Sequence, residues 1–461
     1  MFFVDTLEIE GLGNRSYLAG GPGGAIAVDP PRDIDQVIAA AARRGVRITY
    51  VAETHVHNDY VTGGLELARV TGAHYLVPAD AAVSYRRVLV HDGDEFDVDP
   101  AARLTFRAVA TPGHTPHHTS YVLAEAGRPV AAFTGGSLLI GTVGRPDLVE
   151  PRLTEDLARA QHASAHRLAD GLADDVAVLP THGFGSFCSA GQAAGTATTV
   201  GAERRRNEAL VKDVDTFVAD LLAGLDDIPA YYAHMGPLNA AGPAPVDLTP
   251  PAPADPAELA RRLAAGEWVV DLRARTAFAA GHLAGSFNIE ADGQVATYLA
   301  WLIPWGKPVT LLAESTEQLA AAQRELVRVG IDRPAAAATG GPEDWLLPGE
   351  QPRAFRRATF ADLAAELAAT ARDGGPAPVV LDVRRATERA AAHLDGTHHI
   401  PLHQLHRRGA ELPDGPVWVH CAGGMRAGIA ASLLDAAGRE VTAVDDTFAS
   451  AAEAGLTVVT A

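Results

Sequence analysis

An internal repeat in the second half of the chain constrains the fold more than any other feature. Five residue types recur there at one constant spacing: Asp271, Arg273, His282, Gly285 and Ile289 match Asp382, Arg384, His393, Gly396 and Ile400. Such a repeat indicates two copies of one small α/β domain. We place the copies at residues 246–350 and 351–461, after a first domain at residues 1–245. A Pro/Ala-rich linker at 243–256 marks the first boundary.

The first domain alternates strand-like and helix-like segments, and four of its predicted strands end in loops that hold histidine or glycine. These strands are predicted at 48–52, 104–109, 130–133 and 176–179. The loops that follow them contain, in order, His55 with His57, then His114, Gly136 and His182. Because functional residues often collect on loops held by a rigid scaffold, we expect these loops to form one site.

The segment 54–60, Thr-His-Val-His-Asn-Asp-Tyr, carries the densest group of metal-binding side chains. In an extended segment, alternate residues point to the same face, so His55, His57 and Asp59 can converge. Imidazole and carboxylate groups are good ligands for zinc or iron. Together with His114 and His182, they are the predicted metal-binding residues.

Charge and hydropathy restrict the possible partners. The net charge of −19 argues against nucleic acid. No apolar run reaches the roughly 20 residues that cross a bilayer, and the first residues do not resemble a secretory signal. We therefore expect a cytoplasmic homo-oligomer that binds small molecules and no membrane. The two cysteines do not form a disulfide framework.

The last domain contains the loop Cys-Ala-Gly-Gly-Met-Arg, which starts at Cys421 and ends at Arg426. It follows an apolar strand-like segment and precedes a helix-like one. A cysteine at a helix N-terminus meets backbone N–H groups and the positive end of the helix dipole, which favour the thiolate. We predict Cys421 and Arg426 as catalytic residues and Gly423 and Gly424 as substrate-binding residues.

Two other stretches, the corresponding loop of the preceding copy and the segment around Cys188, are not predicted to be catalytic. In the preceding copy of the domain, Ala313 and Gln318 stand where Cys421 and Arg426 are expected, so that copy is interpreted as a structural spacer or docking surface. Cys188 is flanked by aromatic residues and is interpreted as a buried packing thiol.

The segments 54–63, 111–116, 134–136, 144–147 and 181–183 occur in the order seen in metallo-β-lactamase-fold proteins. The chain most resembles bacterial fusions of a persulfide dioxygenase with rhodanese domains, and the Cys421 loop resembles the rhodanese active loop. The resemblance implies an αββα sandwich followed by two rhodanese-like α/β domains.

The resemblance implies a mononuclear iron centre held by two His and one Asp, and the two His carry over to His55 and His114. Gly136 stands at the Asp position, and Tyr60 replaces the last His of the family motif. His57 then completes a three-His set, and we favour Fe(II) over Zn. Asp59 and His182 remain either half of a second site or groups that orient the ligands.

Arg145 and Asp147 resemble a family segment near the active site. They either contact substrate or form a pair that braces their loop. The leading prediction is oxidation of a low-molecular-weight persulfide to sulfite, coupled to sulfane-sulfur transfer by Cys421 to a thiol acceptor. Alternatives are a thiosulfate or persulfide sulfurtransferase with a non-oxidising first domain, a non-catalytic sulfur sensor, and a zinc-dependent thioester hydrolase.

Overall fold

Short β-branched and apolar strands build the first part of the chain into two sheets. The computed structural model describes residues 2–191, 195–291 and 293–460. The chain forms two units. One comprises Met1–Asp247 with Leu326–Ile331, and the other comprises Leu248–Glu325 with Asp332–Ala461.

The strands of the first unit are β1 (Phe3–Ile9), β2 (Asn14–Gly21), β3 (Gly24–Val28), β4 (Ile48–Ala52), β5 (His74–Pro78), β6 (Val88–Val90), β7 (Glu95–Asp99), β8 (Leu104–Ala110), β9 (Thr119–Glu125), β10 (Arg128–Gly135), β11 (Ala177–Pro180) and β12 (Thr198–Thr199). One sheet has the order β1-β2-β3-β4-β5-β6, and the other has the order β12-β11-β10-β9-β8-β7.

The helices of the first unit are α1 (Asp35–Arg44), α2 (Gly64–Thr71), α3 (Thr154–Gly171), α4 (Val200–Arg206), α5 (Glu208–Val211), α6 (Val214–Ala223) and α7 (Tyr232–Ala241). Within the described parts of the chain, none of the helices is both long and apolar enough to cross a membrane.

Three apolar clusters show how the first unit is layered. One cluster joins the inner faces of the two sheets and includes Ile26 and Phe106. A second packs α1 and α2 on the first sheet, and a third packs α3 and α6 on the second sheet. Burial of both faces of each sheet gives an αββα sandwich. The loops after β4, β8, β10 and β11 carry the histidines and glycine singled out in the sequence.

The strands of the second unit are β13 (Trp268–Asp271), β14 (Phe287–Asn288), β15 (Val309–Ala313), β16 (Ala336–Thr339), β17 (Arg356–Ala358), β18 (Val379–Asp382), β19 (Ala392–Leu394), β20 (His398–His399), β21 (Val417–His420), β22 (Val441–Val444) and β23 (Val458–Thr460). Its helices are α8 (Pro256–Ala264), α9 (Arg275–Ala280), α10 (Val295–Leu302), α11 (Thr316–Arg328), α12 (Pro342–Trp345), α13 (Phe360–Asp373), α14 (Ala386–Ala391), α15 (Leu402–Arg408), α16 (Met425–Ala436) and α17 (Ser450–Glu453). The last three residues of α11, from Leu326 on, are counted with the first unit.

The two copies of the repeat have the same core topology. Parallel strands run in the order β14-β13-β15-β16 in the first copy, and β20-β18-β21-β22 recurs in the second, with β17 added at the edge. The repeated Asp and Arg form the same buried bidentate pair in both copies, Asp271 with Arg273 and Asp382 with Arg384. Both copies of the repeat therefore contain the same internal ion pair, because a buried charged group is costly without a partner.

Candidate metal centre and cysteine loop

His55 follows β4, and its neighbours determine which ring nitrogen carries the proton. The Thr54 hydroxyl donates its single proton to the Asp29 carboxylate at 2.8 Å. Its oxygen can therefore only accept from His55 Nδ1, which lies 2.9 Å away. This arrangement leaves His55 Nε2 with a free lone pair.

His114 and His182 are oriented in the same way. His114 Nδ1 donates to the backbone carbonyl of Arg145 at 2.8 Å, and His114 Nε2 is buried without a hydrogen-bond partner. His182 Nδ1 lies 3.0 Å from Asn14 Oδ1 and 3.3 Å from Asp59 Oδ2. Both rings therefore keep the proton on Nδ1 and leave Nε2 free.

Three buried imidazoles thus offer unprotonated Nε2 atoms. His55 Nε2 and His182 Nε2 lie 3.4 Å apart, so their lone pairs repel unless a cation lies between them. The ligand atoms of His55, His57 and His182 all lie within 4.8 Å of one another. These residues fit a metal ion bound by nitrogen ligands.

His57 reaches the same cluster but is held differently. Its Nε2 lies 3.1 Å from Glu53 Oε2 and 3.3 Å from Asp29 Oδ1. Burial by itself would lower the pKa of His57, but these two carboxylates raise it to about 10. Only Nδ1 remains for a metal, and it would first have to lose its proton.

Asp59 and Tyr60 lie beside the cluster. Asp59 Oδ2 accepts from Asn14 at 2.7 Å, so one of its oxygens serves to position the side chains around His182. Burial opposes the charge of Asp59, but His182 holds the pKa of this carboxyl well below its usual range. The Tyr60 hydroxyl donates to the backbone carbonyl of Asp29 at 3.2 Å, and its ring lies 4.5 Å from that of His57.

Gly136 lies directly against His114. A Cβ atom at this glycine would lie 2.2 Å from His114 Cδ2 and 2.8 Å from Nε2. The Gly136 backbone is anchored as well, because its N–H donates to His118 Nε2 at 3.0 Å. The imidazole of His114 therefore occupies the space into which an aspartate at this position would project. Burial lowers the pKa of His114 to about 3, which keeps the ring neutral.

Arg145 and Asp147 bind each other. The guanidinium donates to both carboxylate oxygens at 2.7 and 2.8 Å, and it also reaches the backbone carbonyl of Asp226 at 2.6 Å. Only 3% of Arg145 is exposed. The pair braces the loop whose carbonyl orients His114.

Cys188 is fully buried close to this centre. Its Sγ lies within 4.8 Å of the ligand atoms of His114 and His182. Burial, followed by the nearby charge of Asp59, raises the pKa of the Cys188 thiol well above its ordinary value.

Cys421 lies between β21 and α16 in the second unit. Its Sγ accepts a hydrogen bond from the backbone N–H of Gly424 at 3.1 Å. Gly424 has a φ of +93°, and a Cβ there would lie 2.0 Å from an Asp445 oxygen. Around Gly423, by contrast, no atom lies within 4 Å of the Cβ position. The loop thus holds the buried sulfur of Cys421, which is 2% exposed, against a helix N-terminus, and Gly423 beside it is exposed.

Arg426 is fixed by a residue that the sequence analysis missed. Its guanidinium donates to both oxygens of Glu388 at 2.6 and 2.8 Å. Burial opposes the Glu388 charge, but Arg426 lowers the pKa of this carboxyl to about 2. Tyr298 on α10 of the other copy interacts electrostatically with both Arg426 and Cys421.

The corresponding loop of the first copy is closed by its own side chain. Gln318 Oε1 accepts from the backbone N–H of Glu314 at 2.8 Å, and Gln318 Nε2 donates to the Leu272 carbonyl at 3.2 Å. The Gln318 side chain therefore hydrogen-bonds to the backbone of the loop that follows Ala313. No thiol is present in this loop.

Two family models match separate parts of the chain. The metallo-beta-lactamase superfamily model matches residues 10–182, and the rhodanese-like domain model matches residues 255–347 and 363–453. This chain contains a metallo-β-lactamase domain and two rhodanese-like domains. The resemblance seen in the sequence and the predicted fold class are thereby confirmed.

Three relatives illustrate the similarity of these domains. The human persulfide dioxygenase ETHE1, mitochondrial, is 28% identical over 234 residues, which cover 50% of this chain and 77% of that protein. A hydroxyacylglutathione hydrolase of Pseudomonas syringae is 32% identical over 159 residues, 34% of this chain and 57% of that protein. A metallo-beta-lactamase structure from Staphylococcus aureus has a TM-score of 0.65 at 26% identity and covers 74% of this chain and 98% of that chain.

The supporting residues of the metallo-β-lactamase domain were not found from the sequence. Asp29 binds Thr54 and His57, and its φ of +49° places a non-glycine residue in the left-handed region. It directly follows β3, as the other site loops follow β4, β8, β10 and β11, so its position after a strand was an available signal. Asn14 had no such signal, because it lies far from the histidines in sequence.

Proposed function

We propose that the chain is an enzyme of sulfide and persulfide metabolism in which Cys421 carries sulfane sulfur. The observation that carries this proposal is the Cys421 loop, where the buried sulfur accepts from a backbone N–H at a helix N-terminus. These groups stabilise negative charge on sulfur.

In this reaction the Cys421 thiolate attacks the outer sulfur of thiosulfate. A new S–S bond forms, the S–S bond of thiosulfate breaks, and sulfite leaves with the electron pair. The Cys421 persulfide then passes its outer sulfur to a thiol acceptor, which becomes a persulfide, and the Cys421 thiolate is regenerated. Arg426, held by Glu388, orients the anionic donor at the loop.

We propose further that the first domain oxidises a low-molecular-weight persulfide, such as that of glutathione. One persulfide, one O₂ and one water give a thiol, sulfite and two protons, and the sulfane sulfur loses the four electrons that O₂ gains. A bound iron ion would supply redox chemistry and open positions for O₂ and substrate. His55, His114 and His182 would hold it, and their buried Nε2 atoms support this assignment.

Iron-loaded protein tests both parts of the proposal. We expect persulfide-dependent oxygen uptake that survives Cys421→Ala and is lost in His55→Ala. Sulfur transfer from thiosulfate should be lost in Cys421→Ala and should survive in His55→Ala. If protein with confirmed bound iron consumes no oxygen, the oxidation is refuted.

A second candidate is a sulfurtransferase whose first domain does not oxidise. It is favoured by one observation, which is that the His114 ring occupies the space of the missing Asp side chain at Gly136. In this case Cys421→Ala abolishes sulfur transfer, His55→Ala leaves it intact, and neither protein consumes oxygen. Zinc hydrolysis of a thioester has less support, because Tyr60 and Gly136 replace two ligands of a dinuclear site.

A further inference from the structure

Cys188 belongs to the same buried cluster as the first-domain histidines, although nothing in the His motif identifies it. Its side chain is fully buried, and the ligand atoms of Cys188, His114 and His182 all lie within 4.8 Å of one another. Metal–ligand bonds of about 2.0–2.3 Å place pairs of ligand atoms up to roughly 4 Å apart. Small side-chain rotations therefore suffice to bring all three onto one ion.

The backbone holds Cys188 and His114 in one frame. The Arg145 N–H donates to the Cys188 carbonyl at 2.9 Å, and the Arg145 carbonyl accepts from His114 Nδ1 at 2.8 Å. Arg145 is in turn fixed by its pair with Asp147. One braced residue thus positions the thiol and the imidazole relative to each other, as expected for groups that bind a common ligand.

His114 provides independent evidence for a ligand at this place. Its Nε2 is buried and has no hydrogen-bond partner, and the tautomer set by Arg145 leaves a lone pair there. A buried acceptor without a partner destabilises the folded state, so such groups are rare unless something binds them. His182 Nδ1 is likewise held by Asn14 Oδ1 at 3.0 Å, which leaves Nε2 to face the cluster.

The charge of the site points in the same direction. Gly136 removes the carboxylate ligand, and His114, His182 and His55 are neutral donors. A thiolate at Cys188 would restore one negative charge in the ligand set. Because burial and the Asp59 charge raise the pKa of the free thiol, its proton leaves only as the metal binds. We propose that Cys188 is a thiolate ligand that binds, with His114 and His182, a divalent transition-metal ion of borderline softness. The proposal rests on the metal centre of the proposed function and redefines its ligands.

Cobalt(II) is a suitable probe because thiolate ligation produces an intense charge-transfer band in the near ultraviolet. The chain has only two cysteines, so Cys421→Ala leaves Cys188 as the sole thiol. Cobalt-loaded Cys421→Ala protein should show the band. Cys188→Ser in the Cys421→Ala background should lose the charge-transfer band. It should also bind the metal more weakly, and the loss of affinity should exceed the roughly 10–100-fold effect of removing a hydrogen bond to a metal ligand.

The Cys421→Ala protein decides the proposal even if Cys188→Ser does not fold, because its metal site is unaltered. One bound cobalt without the thiolate band overturns the inference, and so does failure to bind cobalt. A folded Cys188→Ser protein that keeps the parent affinity also overturns it. The spectrum reports ligation whether or not the protein oxidises persulfide, so failure of the oxidation would be recognised separately by absent oxygen uptake with the band intact.

Discussion

Gly136→Ala is the most direct test of the packing around the metal centre. The added Cβ would lie 2.2 Å from His114 Cδ2 and 2.6 Å from Cγ, far inside van der Waals contact. The loop cannot retreat freely, since the Gly136 N–H donates to His118 and its carbonyl accepts from the Gly144 N–H at 2.9 Å. The imidazole of His114 must therefore move.

The cost follows from overpacking a rigid site. Forcing an extra methyl group into a filled core costs about 1–3 kcal/mol. In a domain of this size, each kcal/mol lowers Tm by about 2–4 °C, so we expect a fall of roughly 2–12 °C. Displacement of the His114 ring also breaks its bond to the Arg145 carbonyl, and metal affinity should fall at least about 10–100-fold.

The assay compares thermal unfolding and cobalt affinity of Gly136→Ala with those of Gly171→Ala. Gly171 ends α3, and no atom lies within 4 Å of its Cβ position, so this matched control should change neither quantity appreciably. Gly136→Asp carries the same Cβ and should likewise weaken metal binding, although it adds a carboxylate. Equal stability and equal metal affinity in Gly136→Ala and Gly171→Ala would refute the packing argument.

Three further outcomes are expected. Thr54→Val removes the hydroxyl that fixes the tautomer of the next histidine, so metal affinity measured by chelator competition should fall about 10–100-fold, whereas Thr54→Ser should retain it. Glu388→Gln breaks the pair with Arg426 and should lower kcat for thiosulfate sulfur transfer. The folded-state pKa of Glu388 is lowered to about 2, so the pair with Arg426 gives its full stabilisation above the ordinary Glu pKa of 4.5 and loses it as the pH falls through 2. The Tm difference between wild type and Glu388→Gln should therefore shrink as the pH falls from 4.5 to 2. Arg275→Gln removes the 2.9 Å bonds of the guanidinium to Asp445, beneath the cysteine loop, and to Glu290, each worth about 1.5–3 kcal/mol. It should lower the Tm of the second unit, and unchanged unfolding would show both bonds to be dispensable.

Local spacing explains which parts of the site could be predicted. His55 and His57 share a strand end, and their side chains reach one cluster, as the alternation of an extended segment predicts. The Cys421 loop was equally accessible, because its sulfur, its glycines and Arg426 lie within one short stretch. The repeat could be recognised from the constant spacing of its Asp–Arg pairs. The assignment of the metal ligands themselves remains a prediction.

Roles within the centre could not be read from spacing. His57 and His182 look equivalent in sequence, but Glu53 and Asp29 hold His57 as a cation, whereas Asn14 leaves His182 Nε2 free. Asp29 and Asn14 come from other strands and loops, whereas Glu53 lies four residues before His57. The protonation state of an imidazole depends on which groups burial brings against it, and that information is not local.

The sequence by itself predicted two copies of one small α/β domain and a reactive cysteine loop at Cys421, and its resemblance to known families implied the αββα sandwich and the rhodanese-like repeats. The cysteine loop could be recognised because its groups lie within a few residues, and the repeat because equivalent residues recur at one constant spacing. Only the tertiary structure decided that Cys188 lies against His114 and His182, and that Glu388 holds Arg426. Residues distant in the chain acquire a joint function only when packing fixes their separation and removes the water between them.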